Sequence, residues 1–185
     1  MAATETHAIP LGFKAPDFCL QDTVDGQVKS LVELRGATAT VIMFICNHCP
    51  YVIHVNDALI QLAHDYRSKG VAFIAISSND VEHYPQDSPA KMKDTALGLG
   101  YPFPYLYDES QDVAKAYFAA CTPDISIFDS DLLCIYRGQL DDSRPKNDIV
   151  PDGKDVREAL DAVLAGRKVS DKQKASLGCN IKWKV

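Results

Sequence analysis

With 185 residues the chain suits one domain with a substantial core and would be cramped as two. Apolar residues make up 46% and charged residues 24%, the balance of a soluble globular protein, and a net charge of −6 argues against a nucleic-acid-binding surface. The opening "MAATETHAIP" has no basic or apolar leader segment, and no apolar run approaches the roughly 20 residues of a membrane helix, so a cytoplasmic protein without membrane contact is expected. Thiols are kept reduced there, so six cysteines do not read as a disulfide framework.

In chain order, "PDFCLQDTVDGQVKSLVEL" predicts a hairpin turning at Asp25-Gly26. Residues 40–45, "TVIMFI", are β-branched and apolar throughout, as in a strand buried on both faces. From Cys49 to Lys69, Val52, Val55, Leu59, Leu62 and Tyr66 recur at helical spacing. Pro50 fits the first turn of that helix and Gly70 its C-terminal cap. "VAFIAISS" is a second buried strand, completing a βαβ unit. Residues 79–90 read as a polar loop, Pro89 to about Leu99 as a helix, "YPFPYLYD" as extended chain and "ESQDVAKAYFA" as a short helix. "DISIFDSDLLCIYRG" predicts a hairpin around Asp129-Ser130-Asp131, and "PDGKDVREALDAVLAG" a last helix ended by Gly166. A basic tail, "RKVSDKQKASLGCNIKWKV", carries Cys179 and the single tryptophan. The order predicts an α/β protein with a mixed central sheet flanked by helices.

Chemistry concentrates at "CNHC", Cys46 to Cys49. Structural zinc takes about four ligands and one C-x-x-C gives two; no second C-x-x-C or H-x-x-x-H follows. Two buried thiols that merely pack are the plain alternative. A redox couple draws on position: between a buried strand and a helix start, unpaired N–H groups and the helix dipole favour a thiolate. His48 adds a cation beside the pair or faces solvent.

Several of these stretches resemble the thioredoxin-fold redoxins of the alkyl hydroperoxide reductase and thiol-specific antioxidant type, from about Ala15 to Ala165. "APDFCLQDTVDGQVKSLVELRG" is similar to that family's opening hairpin, and "CNHC" takes the thioredoxin redox position. "CTPDISIFD" is similar to the segment whose cis-proline faces the redox pair, which implies Thr122 before a cis Pro123. "YRGQLDDSRP" and "GCNIKWK" resemble the peroxiredoxin-like subgroup that carries a thioredoxin C-x-x-C.

The resemblance implies a thioredoxin-like fold with an N-terminal hairpin extension: an arm at 1–14, the redoxin domain at 15–166, and a tail at 167–185 packed on it. It implies a thiol–disulfide oxidoreductase in which Cys46 is the exposed, low-pKa nucleophile, Cys49 the buried resolving thiol, and Thr122 and Pro123 offer backbone to a substrate strand. Cys121 should lie near the pair and Cys179 can reach it from the tail, while Cys19 and Cys134 read as packing residues. The expected partners are a disulfide-bearing protein or small molecule, or a hydroperoxide, with an upstream thiol reductant; no flavin, nucleotide or metal cofactor is implied.

The chain also departs from the family. Cys46 stands where peroxiredoxins keep a threonine, and their peroxide-polarising arginine falls near Pro123. Arg137 and Arg144 are candidates to replace it but read more simply as surface arginines, and "TVIMFI" lacks the buried carboxylate of thioredoxins. Two alternatives stay open: a thiol peroxidase with Cys49 as the peroxidatic thiol and Cys46 resolving it, or a metal carrier or sensor using Cys46, Cys49, His48 and a third thiol.

Overall fold

The computed structural model describes residues 3–7 and 10–185. In chain order the strands and helices are β1 (Ala3–Glu5), β2 (Cys19–Asp22), β3 (Val28–Ser30), α1 (Leu31–Leu34), β4 (Ala39–Phe44), α2 (Pro50–Tyr66) and β5 (Val71–Ser77). There follow α3 (Pro89–Leu99), β6 (Tyr105–Tyr107), α4 (Asp112–Ala116), β7 (Cys121–Thr122), β8 (Asp124–Asp129), β9 (Cys134–Gly138), α5 (Lys154–Leu164) and β10 (Leu177–Asn180). Among the described residues no helix is long and apolar enough to cross a membrane.

Seven strands form the main sheet in the order β3-β2-β6-β5-β4-β8-β9. β4 and β5 pair in parallel across α2, β5 and β6 are parallel, and the remaining pairs are antiparallel. This is a thioredoxin-like α/β architecture. The unbroken apolar run of β4 is explained by its central place: all six residues are buried, with Val41 and Met43 in one core and Ile42 and Phe44 in the other. The first core holds Val52, Leu59 and Leu62 of α2, Met92 of α3, and Val156 and Leu160 of α5; the second holds Leu31 of α1 and Ala114 of α4. Pro50 opens α2, and after its last 3₁₀ turn Gly70 takes the left-handed conformation, φ 80°.

Two local readings change. The second arm of the first hairpin ends at Ser30, and Leu31–Leu34 is a helical turn. Its cause is a capping box: Glu33 N–H donates to Ser30 Oγ at 3.3 Å and Ser30 N–H donates to Glu33 Oε2 at 2.9 Å. Cys19 is exposed, because the alternation of β2 turns Phe18 and Leu20 inward.

The tail forms a second, three-stranded sheet, β1-β10-β7. β10 is antiparallel to β7, with Cys179 opposite Thr122 and Asn180 opposite Cys121. Gly178 permits this approach: a Cβ there would stand 1.9 Å from the carbonyl oxygen of Thr122. Further anchors bracket the strand. Ser176 Oγ donates to the Gly138 carbonyl (2.6 Å), Ile181 N–H to Ala120 O (3.1 Å) and Lys182 N–H to Asn79 Oδ1 (2.8 Å).

Candidate active site

The strand-to-helix junction positions the two cysteines. Ile45 N–H still bonds Ile76 O at 2.9 Å, a four-residue turn follows, and Cys49 is the N-cap of α2, accepting Ile53 N–H at its carbonyl (3.0 Å). Both sulfurs converge on Thr122. Cys46 Sγ lies 3.5 Å from Thr122 Oγ1, and the Cys49 thiol donates to the Thr122 carbonyl at 3.1 Å. The Thr122–Pro123 bond is cis. Alternation along β7 turns Cys121 the other way, to Thr6 Oγ1 (3.5 Å) and the Pro123 carbonyl (3.6 Å). Burial pushes the Cys121 thiol up to about 12, which suits a packing thiol. Cys134, the first residue of β9, is buried. Cys179, opposite Thr122, shares the core of Cys46 and Cys49.

A residue missed in the sequence completes the site. Asp87, in the 3₁₀ turn Pro85–Asp87, is wholly buried and brings its carboxylate to the cysteine turn. It accepts Asn47 N–H (2.8 Å), His48 N–H (3.3 Å), Asn79 Nδ2 (2.8 Å) and His48 Nδ1 (2.6 Å). The His48 ring stacks on Tyr84 at 5.6 Å, and Lys182 Nζ of the tail lies 5.6 Å from the same Tyr84 ring. His48 is therefore held between Asp87 and Tyr84.

The two thiols shift each other in opposite directions. The Cys46 thiol, then Cys179, Thr122 and the Val52 amide at the helix start, outweigh burial and hold Cys49 down to about 5. The Cys46 thiol is pushed up by its neighbour Cys49, by burial and by the Asp87 carboxylate. Burial corrects the expectation of an exposed Cys46: both sulfurs are buried, with the Asp87 carboxylate beside Cys46 and the Cys179 thiol and the Val52 amide beside Cys49.

A model of the AhpC/TSA family matches residues 11–136, more than half of the chain. The chain belongs to the AhpC/TSA family. A search of the curated proteins returns no match. Among solved structures, an uncharacterized conserved protein from Geobacillus kaustophilus is 61% identical, with 100% of this chain and 97% of that one covered and a TM-score of 0.98. A hypothetical protein from Sinorhizobium meliloti 1021 is 43% identical over 98% and 99% of the chains, TM-score 0.96. The thioredoxin domain of a thiol-disulfide oxidoreductase from Bacteroides vulgatus shares the fold at 17% identity, 70% and 89% coverage and a TM-score of 0.59.

Within this AhpC/TSA fold the arginines are occupied. Arg137 is buried, bonding the Tyr117 and Phe118 carbonyls at 2.9 and 2.8 Å, Ser126 Oγ at 3.1 Å and Asp124 at 3.3 Å. It is a structural cation under the sheet and not a surface residue. Arg144 bonds Gln139 Oε1 and the carbonyls of Asp141 and Ser143. The backbone of Thr122 is already paired with β10, which corrects the expectation of an open edge for a substrate strand. The cavity beside Pro123, lined by Tyr51, His54, Leu140 and Leu177, holds about 20 Å³, room for a water-sized group. Cys46, His48 and Asp87 place ligand atoms within 4.8 Å of one another and could hold a metal ion, but only by displacing the donors that already satisfy Asp87.

Proposed function

We propose that this protein is a thiol–disulfide oxidoreductase whose redox couple is Cys46 and Cys49. The observation that carries the reading is the convergence of the two sulfurs on Thr122 at the start of α2, where the helix N-terminus favours a thiolate once Cys49 gives up its proton. The Cys49 thiolate attacks one sulfur of a substrate disulfide and releases the first thiol. Cys46 then attacks Cys49 in the mixed disulfide, releasing the second thiol, with Asp87 beside Cys46 to draw off its proton. An upstream thiol reductant restores the pair. With β10 lying on Thr122, a small disulfide suits the closed site better than an extended polypeptide. A cytoplasmic setting, without nucleic-acid or membrane partners, fits a couple that must be kept reduced.

One observation favours a second reading, a thiol peroxidase. Cys49 is a buried thiolate behind the tail, where a small oxidant enters more easily than a protein. Against it, Arg137 and Arg144 are both engaged elsewhere, and one lost donor to a developing oxyanion costs about 10²–10³ in rate.

Disulfide mapping by mass spectrometry after exposure to a small disulfide tests the proposal. Cys49 should be recovered in a disulfide with Cys46. Recovery of Cys49 as a free thiol, with Cys46 unchanged, contradicts it.

A further inference from the structure

Cys49 has two thiol neighbours, and the mechanism above uses only one. Cys179 stands opposite Thr122 in the β10–β7 register, and the Thr122 carbonyl is 3.1 Å from Cys49 Sγ. The three sulfurs share one core, and Cys179 is 5% exposed. The tail does not arrive there by chance contact. Gly178 leaves no Cβ between the tail and Thr122, and the strand is bonded on both flanks, by Ser176 to Gly138 and by Lys182 to Asn79. The tail thus occupies the backbone that an extended substrate would need, and it presents a thiol at the reacting sulfur.

We propose that Cys179 is a second resolving thiol, able to complete the reduction of a disulfide that Cys49 has begun. The proposal rests on Cys49 as the attacking sulfur. In the first half-reaction the Cys49 thiolate breaks the substrate S–S bond, forming Cys49–S–S–R and releasing RS⁻. In the second, the Cys179 thiolate attacks the Cys49 sulfur; the Cys49–Cys179 bond forms, the Cys49–SR bond breaks, and RS⁻ takes up the proton that Cys179 gave up. The substrate gains two electrons, and Cys49 and Cys179 lose one each. Holding Cys179 on an anchored strand makes this step intramolecular, with the high effective concentration of a fixed neighbour. Burial first, and then the thiol contact with Cys49 and its charge, push the Cys179 thiol up to about 12. Capture of Cys49 in the mixed disulfide removes that neighbouring charge, while Lys182 remains to favour the Cys179 thiolate.

The test uses reduced full-length protein carrying Cys19→Ser, which removes the exposed thiol of β2 from every variant, and a small aromatic disulfide whose thiol is coloured. Cys46→Ser should release two thiols per protein and be recovered with a Cys49–Cys179 disulfide. Cys46→Ser/Cys179→Ser should release one thiol and hold a lasting mixed disulfide on Cys49. A Cys46→Ser protein that stops at one thiol, with its mixed disulfide as lasting as in the double variant, overturns the role of Cys179 and leaves the function reading intact. A double variant that releases none overturns both, because Cys49 is then not the attacking sulfur. Should the variants fold poorly, quenched time points of the wild-type protein decide: a Cys49–Cys179 bridge among them supports the proposal, and a Cys46–Cys49 bridge alone at every time overturns it.

Discussion

Asp87 is 40 residues from Asn47 in the chain, yet its carboxylate closes on the backbone of the cysteine turn. The C-x-x-C pair announces itself by spacing between a buried strand and a helix. Asp87 does not, because one acid in a polar, proline-punctuated loop has no periodic relation to the residues it meets. The electrostatics of the couple follow from that contact. His48 Nδ1 at 2.6 Å offsets the Asp87 charge, and Asp87 opposes ionisation at Cys46. His48→Ala should therefore destabilise the reduced pair and lower its potential by tens of millivolts, and Asp87→Asn should raise it by a similar amount. For a two-electron couple about 30 mV corresponds to about 1.4 kcal/mol. Redox titration against a glutathione buffer measures both; shifts of the same sign would contradict the opposed roles. The pair also fixes a pH dependence. Cys49 is lowered from 9.0 to about 5, so its thiolate persists above about pH 5 and is lost as pH falls through that value. Ultraviolet thiolate absorbance of the Cys46→Ser/Cys179→Ser protein, which also lacks two of the donors to Cys49, should show a midpoint raised from that of Cys179→Ser alone. Equal midpoints would mean that Cys46 does not hold the charge on Cys49.

The elements divide by how much of their shape is written locally. β4, α2, β5 and α5 carry strong periodicity or unbroken apolar runs, and caps such as Pro50 and Gly70 mark their ends. The turn at Leu31–Leu34 was legible too, in the S-x-x-E spacing of Ser30 and Glu33, but the apolar alternation of "VKSLVEL" reads equally as strand. β1, β7 and β10 are two to four residues each, too short for a pattern, and they form because the tail docks on the cis-proline segment. Gly178→Ala tests that docking. Its Cβ would meet Thr122 O at 1.9 Å, so β10 must lift. Overpacking of this kind costs about 1–3 kcal/mol. Chemical denaturation should register that loss, and alkylation of Cys46 and Cys49 in the native state should become faster. Wild-type stability together with wild-type alkylation rates would mean that the tail does not close the site.

For the whole molecule, the sheet brings one sulfur pair from the end of β4, a carboxylate from the loop before α3, a threonine from β7 and a third thiol from β10 to a single point. The family likeness covers the redoxin body, residues 11–136, and stops short of the tail that contributes Cys179. The resemblance in sequence was thus enough for the architecture. It does not reach the surroundings of the two thiols, which come from three distant segments. The most direct measurement is stopped-flow reaction of reduced Cys19→Ser protein, which lacks the exposed thiol of β2, with a small disulfide and, separately, with hydrogen peroxide. The account predicts rapid release of thiol from the disulfide, loss of that reaction in Cys49→Ser, and a slow reaction with peroxide. Fast sulfenate formation at Cys49 with peroxide, beside little or no cleavage of the disulfide, would contradict it.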